Sequence, residues 1–192
     1  AVYSMSATTT AYGMARGISQ TGYIGYDISM GDVTMSFDTS KTTGGTNRSL
    51  SLNYTGIDGL QVVAGAAETL TAQANAGVDQ ETVGVKYTMG SITVAAQLNE
   101  VDDASTSNDD EDATHIGISF ALNDQVSISY AQLETDFGKS TKTADETVSG
   151  VGVSYTAGSM SVKAYAGKTE NDAGSATAAD LEEKGVTLSF SF

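Results

Sequence analysis

The sequence predicts an all-β chain, a transmembrane antiparallel up-and-down β-barrel of about eleven strands. Three observations predict it. Apolar and small polar side chains alternate through one segment after another. Connections alternate between tight turns and long polar loops, and an aromatic residue recurs just ahead of the tight turns. The pattern is plainest in the closing segment KGVTLSFSF at 184–192. Successive side chains on a strand point to opposite faces. Val186, Leu188, Phe190 and Phe192 therefore form one apolar face, while Gly185, Thr187, Ser189 and Ser191 form a face that water can wet.

Composition supports strands over helices. The chain has 21 Gly, no Pro, no Trp and no Cys, with only 40% hydrophobic residues, thin for a globular core. Without Cys, neither a disulfide nor a Cys-ligated metal can form. A net charge of −15 with nine scattered Lys and Arg excludes nucleic acid, which demands a basic patch. No apolar run approaches the ~20 residues of a membrane helix. A membrane strand needs only about 9–11, with one apolar face.

Residues 1–20 alternate weakly and carry one cation, Arg16. From Gly22 the alternation is regular: Ile24, Tyr26, Ile28 and Met30 share a face, the turn at Met30-Gly31-Asp32 follows, and Val33, Met35 and Phe37 continue that face. The second hairpin pairs 48–54 with 60–67 through Gly56-Ile-Asp-Gly59. A polar loop is expected over about 69–80. The third pairs 82–89 with 91–101 through Met89-Gly90-Ser91, and an acidic loop is expected over 101–112. The fourth pairs 114–122 with 125–133, turning at Asn123-Asp124. A loop around 136–145 precedes the fifth pair, 148–155 and 160–168, which turns at Ala157-Gly158-Ser159. The loop 170–183 leads to the final strand.

In a meander, this alternation gathers every short turn at one end of the sheet and every long loop at the other. Tyr54, Tyr87, Phe120 and Tyr155 stand on the apolar face just ahead of tight turns, Tyr26 lies one turn-length further back, and Phe190 and Phe192 fall at the same height. Aromatic rings favour the membrane–water interface, and a row of them is the girdle of an outer-membrane barrel. The short-turn end then faces the periplasm of a Gram-negative bacterium. The alternative is a secreted soluble β-rich surface or adhesin module, which would need larger core residues and less regular loops.

The hairpin VGVKYTMGSITVAAQ at 83–97 and the ending GVTLSFSF at 185–192 resemble general diffusion porins of the outer membrane, particularly those of α-proteobacteria such as Rhodobacter. The resemblance covers residues 21–192 and rests on pattern. It implies passive diffusion of small hydrophilic solutes and ions through a homotrimer of barrels of about sixteen strands. It also implies contact with outer-membrane lipid and lipopolysaccharide. Counted back from Phe192, the strand at 21–30 is the family's sixth, and residues 1–20 are the tail of the loop that folds inward as its constriction. The competing reading makes 1–17 a true first strand and completes a barrel of about twelve.

Parity puts Asp27, Asp38, Asn53, Lys86, Gln97, His115 and Lys163 on the polar, pore-lining face, and Arg16 joins them if residues 1–20 are the constriction loop. Lys86 and Lys163 sit inside apolar alternations, where facing lipid at the midplane would cost about 2–4 kcal/mol. They must face water, whether to select ions or only to satisfy hydrogen bonds there. His115 is the sole histidine and shares a face with Ser119. Residues four apart on a strand are roughly 13 Å apart, too far for a nucleophile and its base, so no enzyme is expected. No cofactor is expected either. Asp109, Asp110 and Asp112 are weak candidates for loosely bound Ca²⁺, without EF-hand spacing.

Overall fold

The structure, a computed structural model, describes residues 22–42, 45–71, 77–103, 110–139 and 141–191. Arg16, Asp109, Phe192 and the whole of 1–20, with both readings of that segment, lie outside the described residues. The strands are β1 (Gly22–Met30), β2 (Val33–Thr42), β3 (Gly45–Ile57), β4 (Leu60–Thr71), β5 (Gly77–Met89) and β6 (Ile92–Asp103). They continue as β7 (Glu111–Ala121), β8 (Val126–Phe137), β9 (Glu146–Ala157), β10 (Met160–Glu170) and β11 (Leu181–Phe190). Each pairs antiparallel with the next in one 11-stranded sheet. Among the described residues, β1 and β11 are its two ends and the sheet is not closed into a barrel.

The tight turns follow from local chemistry. Gly31, Gly90 and Gly158 each lead a two-residue turn with φ of +59°, +60° and +56°. Only glycine occupies that position without strain, and the turn's twist matches that of the strands it joins. The β7–β8 turn uses Asn123 instead, whose Oδ1 accepts the backbone N–H groups of Gln125 and Val126, both at 2.9 Å.

One hydrogen bond repeats at every turn and sets the stagger of the sheet. The N–H groups of Thr55, Thr88, Ala121, Thr156 and Ser191 donate to the carbonyls of Asp32, Gly59, Ser91, Gln125 and Ser159 at 2.8–2.9 Å. Each acceptor belongs to the turn of the preceding hairpin. The residue before each donor is an aromatic: Tyr54, Tyr87, Phe120, Tyr155 and Phe190. Each of these is paired with the first residue of an even strand, respectively Val33, Leu60, Ile92, Val126 and Met160. The five rings therefore occupy one equivalent position in five successive repeats. Tyr26 stands outside that row, paired with Phe37 in the body of the first hairpin.

Strands reach further into the polar connections than alternation predicts. Where a loop is expected over about 69–80, β4 runs to Thr71 and β5 begins at Gly77. β6 likewise extends to Asp103 and β7 starts at Glu111 inside the acidic run, while β11 starts at Leu181. The ladder needs only backbone groups. Towards the long connections the side chains stop alternating while backbone pairing continues, as at Thr69 opposite Val78.

The distribution of burial is inverted relative to a water-soluble sheet. Leu50, Val83, Val85, Val94, Ile116, Ile118, Val151, Val153, Leu188 and Val186, the last 74% exposed, all lie uncovered on one face. Buried apolar residues among the described ones are only Val63, Ala113, Ala131 and Leu133, and they lie on the other face beside buried Ser51, Thr82, Gln97 and Asn99. Shielding of one face only is what a curved sheet produces, and here the shielded, inner face is the polar one. An apolar surface this extensive is compatible with lipid and not with water. Ile116→Arg on the outer face is expected to destabilise the full-length protein in lipid by about 2–4 kcal/mol. Ala95→Arg on the inner face should be close to neutral, with urea unfolding in bilayers as the measurement.

Candidate functional site

The inner face is the candidate site. Its most tightly knit part is a polar network on β5 and β6. Thr82 Oγ1 donates to Asn99 Oδ1 at 2.7 Å, and Gln97 Nε2 donates to Asn99 Oδ1 at 2.8 Å and to Thr82 Oγ1 at 3.1 Å. Gln97 and Asn99 are each only 8% exposed, and Asn99 Nδ2 has no hydrogen-bond partner among the described residues. Next to it, Gln61 Nε2 donates to Asn53 Oδ1 at 3.0 Å. Ser49 donates to Asp38, and Asn47 Nδ2 to Ser40 Oγ at 3.4 Å. Side chains that point inward thus satisfy one another across strands.

Charges on this face are sparse. Lys86 lies between Gln61 and Ala95 in the register, His115 between Gln97 and Leu133, and Lys163 between Ser154 and Thr187. Asp27 is opposite Ser36. Lys86 and Lys163 are the cations of inner-face parity on the described strands. Sequence reasoning missed an anion and its partner: Tyr165 donates its hydroxyl to Glu183 Oε1 at 2.6 Å. Parity from Lys163 would have placed Tyr165 here. Glu183 was hidden because 170–183 reads as loop, whereas β11 already includes it.

Register connects these charges. One transverse row runs Lys86, Ala95, Gly117, Ala131, Gly150, Gly167, Glu183. It places a cation and a carboxylate at the two ends, six strand spacings or roughly 29 Å apart along the wall. Between them no side chain exceeds a methyl group. The ring of Tyr165 fills the space left by Gly185, where a Cβ would come within 2.4 Å of it. Such a wall is low in its middle and charged at its flanks.

The outer face changes character towards the long loops. Phe37, Leu50 and Ala66 share a row with Glu81, Glu100, Asp112 and Asp136. Apolar residues give way there to carboxylates. Asp110 is engaged locally, its Oδ1 accepting the N–H of Asp103 at 2.9 Å. Among the described residues, no three His, Cys, Asp or Glu side chains converge on a point where a metal could sit.

The whole chain, residues 1–192, matches the family described as Gram-negative porin. The chain belongs to the Gram-negative porins. Membership places it in the outer membrane, and the match does not single out the α-proteobacterial type. The fold agrees with several solved structures at low identity. An anion-selective porin from Comamonas acidovorans superposes with a TM-score of 0.66 at 13% identity, over 86% of this chain and 57% of that one. OmpT of Vibrio cholerae in its trimer form gives 0.64 at 16% identity, over 88% of this chain and 64% of that one. OccK11 (OpdR) of Pseudomonas aeruginosa gives 0.69 at 10%, over 88% and 56%. The chain therefore spans less than two thirds of the length of each. No curated protein sequence matches it.

Within this porin wall, Thr82→Val removes the hydroxyl at the centre of the network while keeping its shape. It is expected to cost about 1 kcal/mol or more, read as a lower midpoint in urea unfolding of the micelle-refolded protein. A neutral result would mean that the network only fills space.

Proposed function

We propose that the inner face is the wall of a water-filled channel through which small hydrophilic solutes and ions diffuse passively across the outer membrane. The observation that carries this is the inversion of burial: polar side chains shielded inside, an apolar band exposed outside. A diffusion pore needs a hydrated passage and wall charges, not a catalyst. The reading therefore assigns His115 and Ser119 no catalytic step. Asp27, Asp38, Asn53, Lys86, Gln97, His115 and Lys163 line the passage, with Tyr165 and Glu183 added to them.

Tyr54, Tyr87, Phe120, Tyr155 and Phe190 form the aromatic girdle at the periplasmic interface, supported by their equivalent positions in the repeat. Tyr26 contacts the hydrocarbon region instead. The carboxylate row at Glu81, Glu100, Asp112 and Asp136 then lies at the headgroup level on the opposite side, facing lipopolysaccharide. Any Ca²⁺ there bridges loosely to lipid phosphates and is not a resident cofactor. The unit assembles as a homotrimer, a reading supported by the trimer form of OmpT from Vibrio cholerae.

Planar-bilayer recording of the full-length protein tests the proposal. The wild-type protein should conduct. Lys86→Glu combined with Lys163→Glu should shift the reversal potential in a KCl gradient towards cations, changing the permeability ratio about twofold or more. Unchanged selectivity would mean that the two lysines only satisfy hydrogen bonds. A protein that stays folded and monodisperse in detergent-free buffer would favour the secreted surface module.

A further inference from the structure

The described parts of the connection after β8 (138–139 and 141–145) and the connection after β10 (171–180) are not independent; they interlock. Thr143 N–H donates to the carbonyl of Gly174 at 2.9 Å, and Ala176 N–H to Thr143 Oγ1 at 3.0 Å. Asn171 Nδ2 donates to the carbonyl of Asp145 at 3.0 Å. The Lys142 ammonium donates to the carbonyl of Ala173 and lies 4.9 Å from the centroid of the Phe137 ring.

Two of the groups that hold this assembly come from the inner face. Phe137 pairs with Glu111, and Glu146 with Thr135, in rows of inner-face parity. The Glu146 carboxylate accepts the N–H of Ala173 at 2.6 Å. Gly174 is buried against Phe137 so closely that a Cβ would fall 2.7 Å from the ring. The short 3-10 turn Asp172–Gly174 is thus seized from the inside of the sheet, not from its lipid side.

The backbone bends unusually to fit. Asn171 and Ala173 have φ of 54° and 53°, left-handed values that residues with a Cβ adopt rarely, and Gly174 lies at +73°. These are the only non-glycine residues with positive φ among those described. A conformation of this kind persists only where surrounding contacts over-determine it, and such sites cluster at functional positions.

We propose that the turn at 172–174 is a fixed shelf over the loop-end mouth of the passage, and that it limits the size of solute admitted along the β8–β11 side of the wall. The proposal rests on the channel reading given above. A free loop of this length would sample open positions and average out of the way. Its interlock with the neighbouring loop and its seat on Phe137 and Glu146 keep this one in place. The Lys142 ammonium and the Glu146 carboxylate both hold the backbone of Ala173, so the edge is fixed in position by two charged side chains.

The test uses the full-length protein in planar bilayers and in proteoliposomes. Gly174→Val places methyl groups on the Phe137 ring and a β-branched residue at positive φ; Phe137→Ala removes the seat by a different route. Each variant should become cleavable by trypsin after Lys142, where the wild type resists. Each should also show single-channel conductance higher by about 1.5-fold or more. Cleavage with unchanged conductance overturns the shelf and leaves the channel reading standing. A wild-type protein that does not conduct overturns both. Because the chain has no Cys, Thr143→Cys with Ala176→Cys can lock the loops by oxidation. A fixed shelf predicts the same conductance before and after oxidation, whereas a drop on oxidation would show a mobile loop and overturn the proposal.

Discussion

Backbone hydrogen bonding between consecutive strands is the constraint from which the other features follow. In hydrocarbon no water is present to satisfy an N–H or a carbonyl, so a spanning sheet must pair every strand with its neighbours. The eleven strands pair in strict sequence order, with β1 and β11 as the two ends among the described residues, and one further bond per hairpin ties each turn to the strand that follows. That bond fixes how far each hairpin is displaced from the last. Displacement, in turn, fixes the height of the aromatic residue that precedes each donor. The equivalent positions of the five aromatic residues are thus a consequence of backbone stagger, with side-chain chemistry selecting what stands at them.

Much of this is legible in one sequence because strand parity is a local property. The alternation at 83–97 assigns Val83, Val85 and Tyr87 to one face and Gly84 and Lys86 to the other without reference to any distant residue. The strand ends are less legible. Residues such as Thr69 and Val78 pair through their backbones where their side chains no longer signal a face. Glu183 was lost for that reason. The docking of the turn at Asp172–Gly174 on Phe137 is a contact between segments far apart in the chain, which no period or turn signal encodes. The left-handed Ala173 is equally silent, since nothing in its neighbours requires that conformation before the loop is seated.

The inner wall combines order with emptiness. Around Thr82, Gln97 and Asn99 the polar groups bond to one another and the surface is firm. Along the single row from Ala95 to Gly167 that face carries only hydrogens and methyl groups, with Lys86 and Glu183 at the row's two ends. A passage walled in this way has its field set by a few charges and its width by what overhangs it. If the proposed channel and shelf both hold, size and charge discrimination are separable, the first residing at the loop end and the second on the strands.

The channel reading requires inner-face residues to meet water while their immediate neighbours along each strand meet lipid, and everything else about the wall depends on that division. Single cysteines at 186, 187, 188 and 189 of β11, introduced one at a time into the naturally cysteine-free sequence, test it most directly. With the full-length protein in native outer membranes, a membrane-impermeant thiol reagent should label the variants Thr187→Cys and Ser189→Cys and leave Val186→Cys and Leu188→Cys unmodified. Equal labelling at all four positions, or labelling in the opposite phase, would contradict the division.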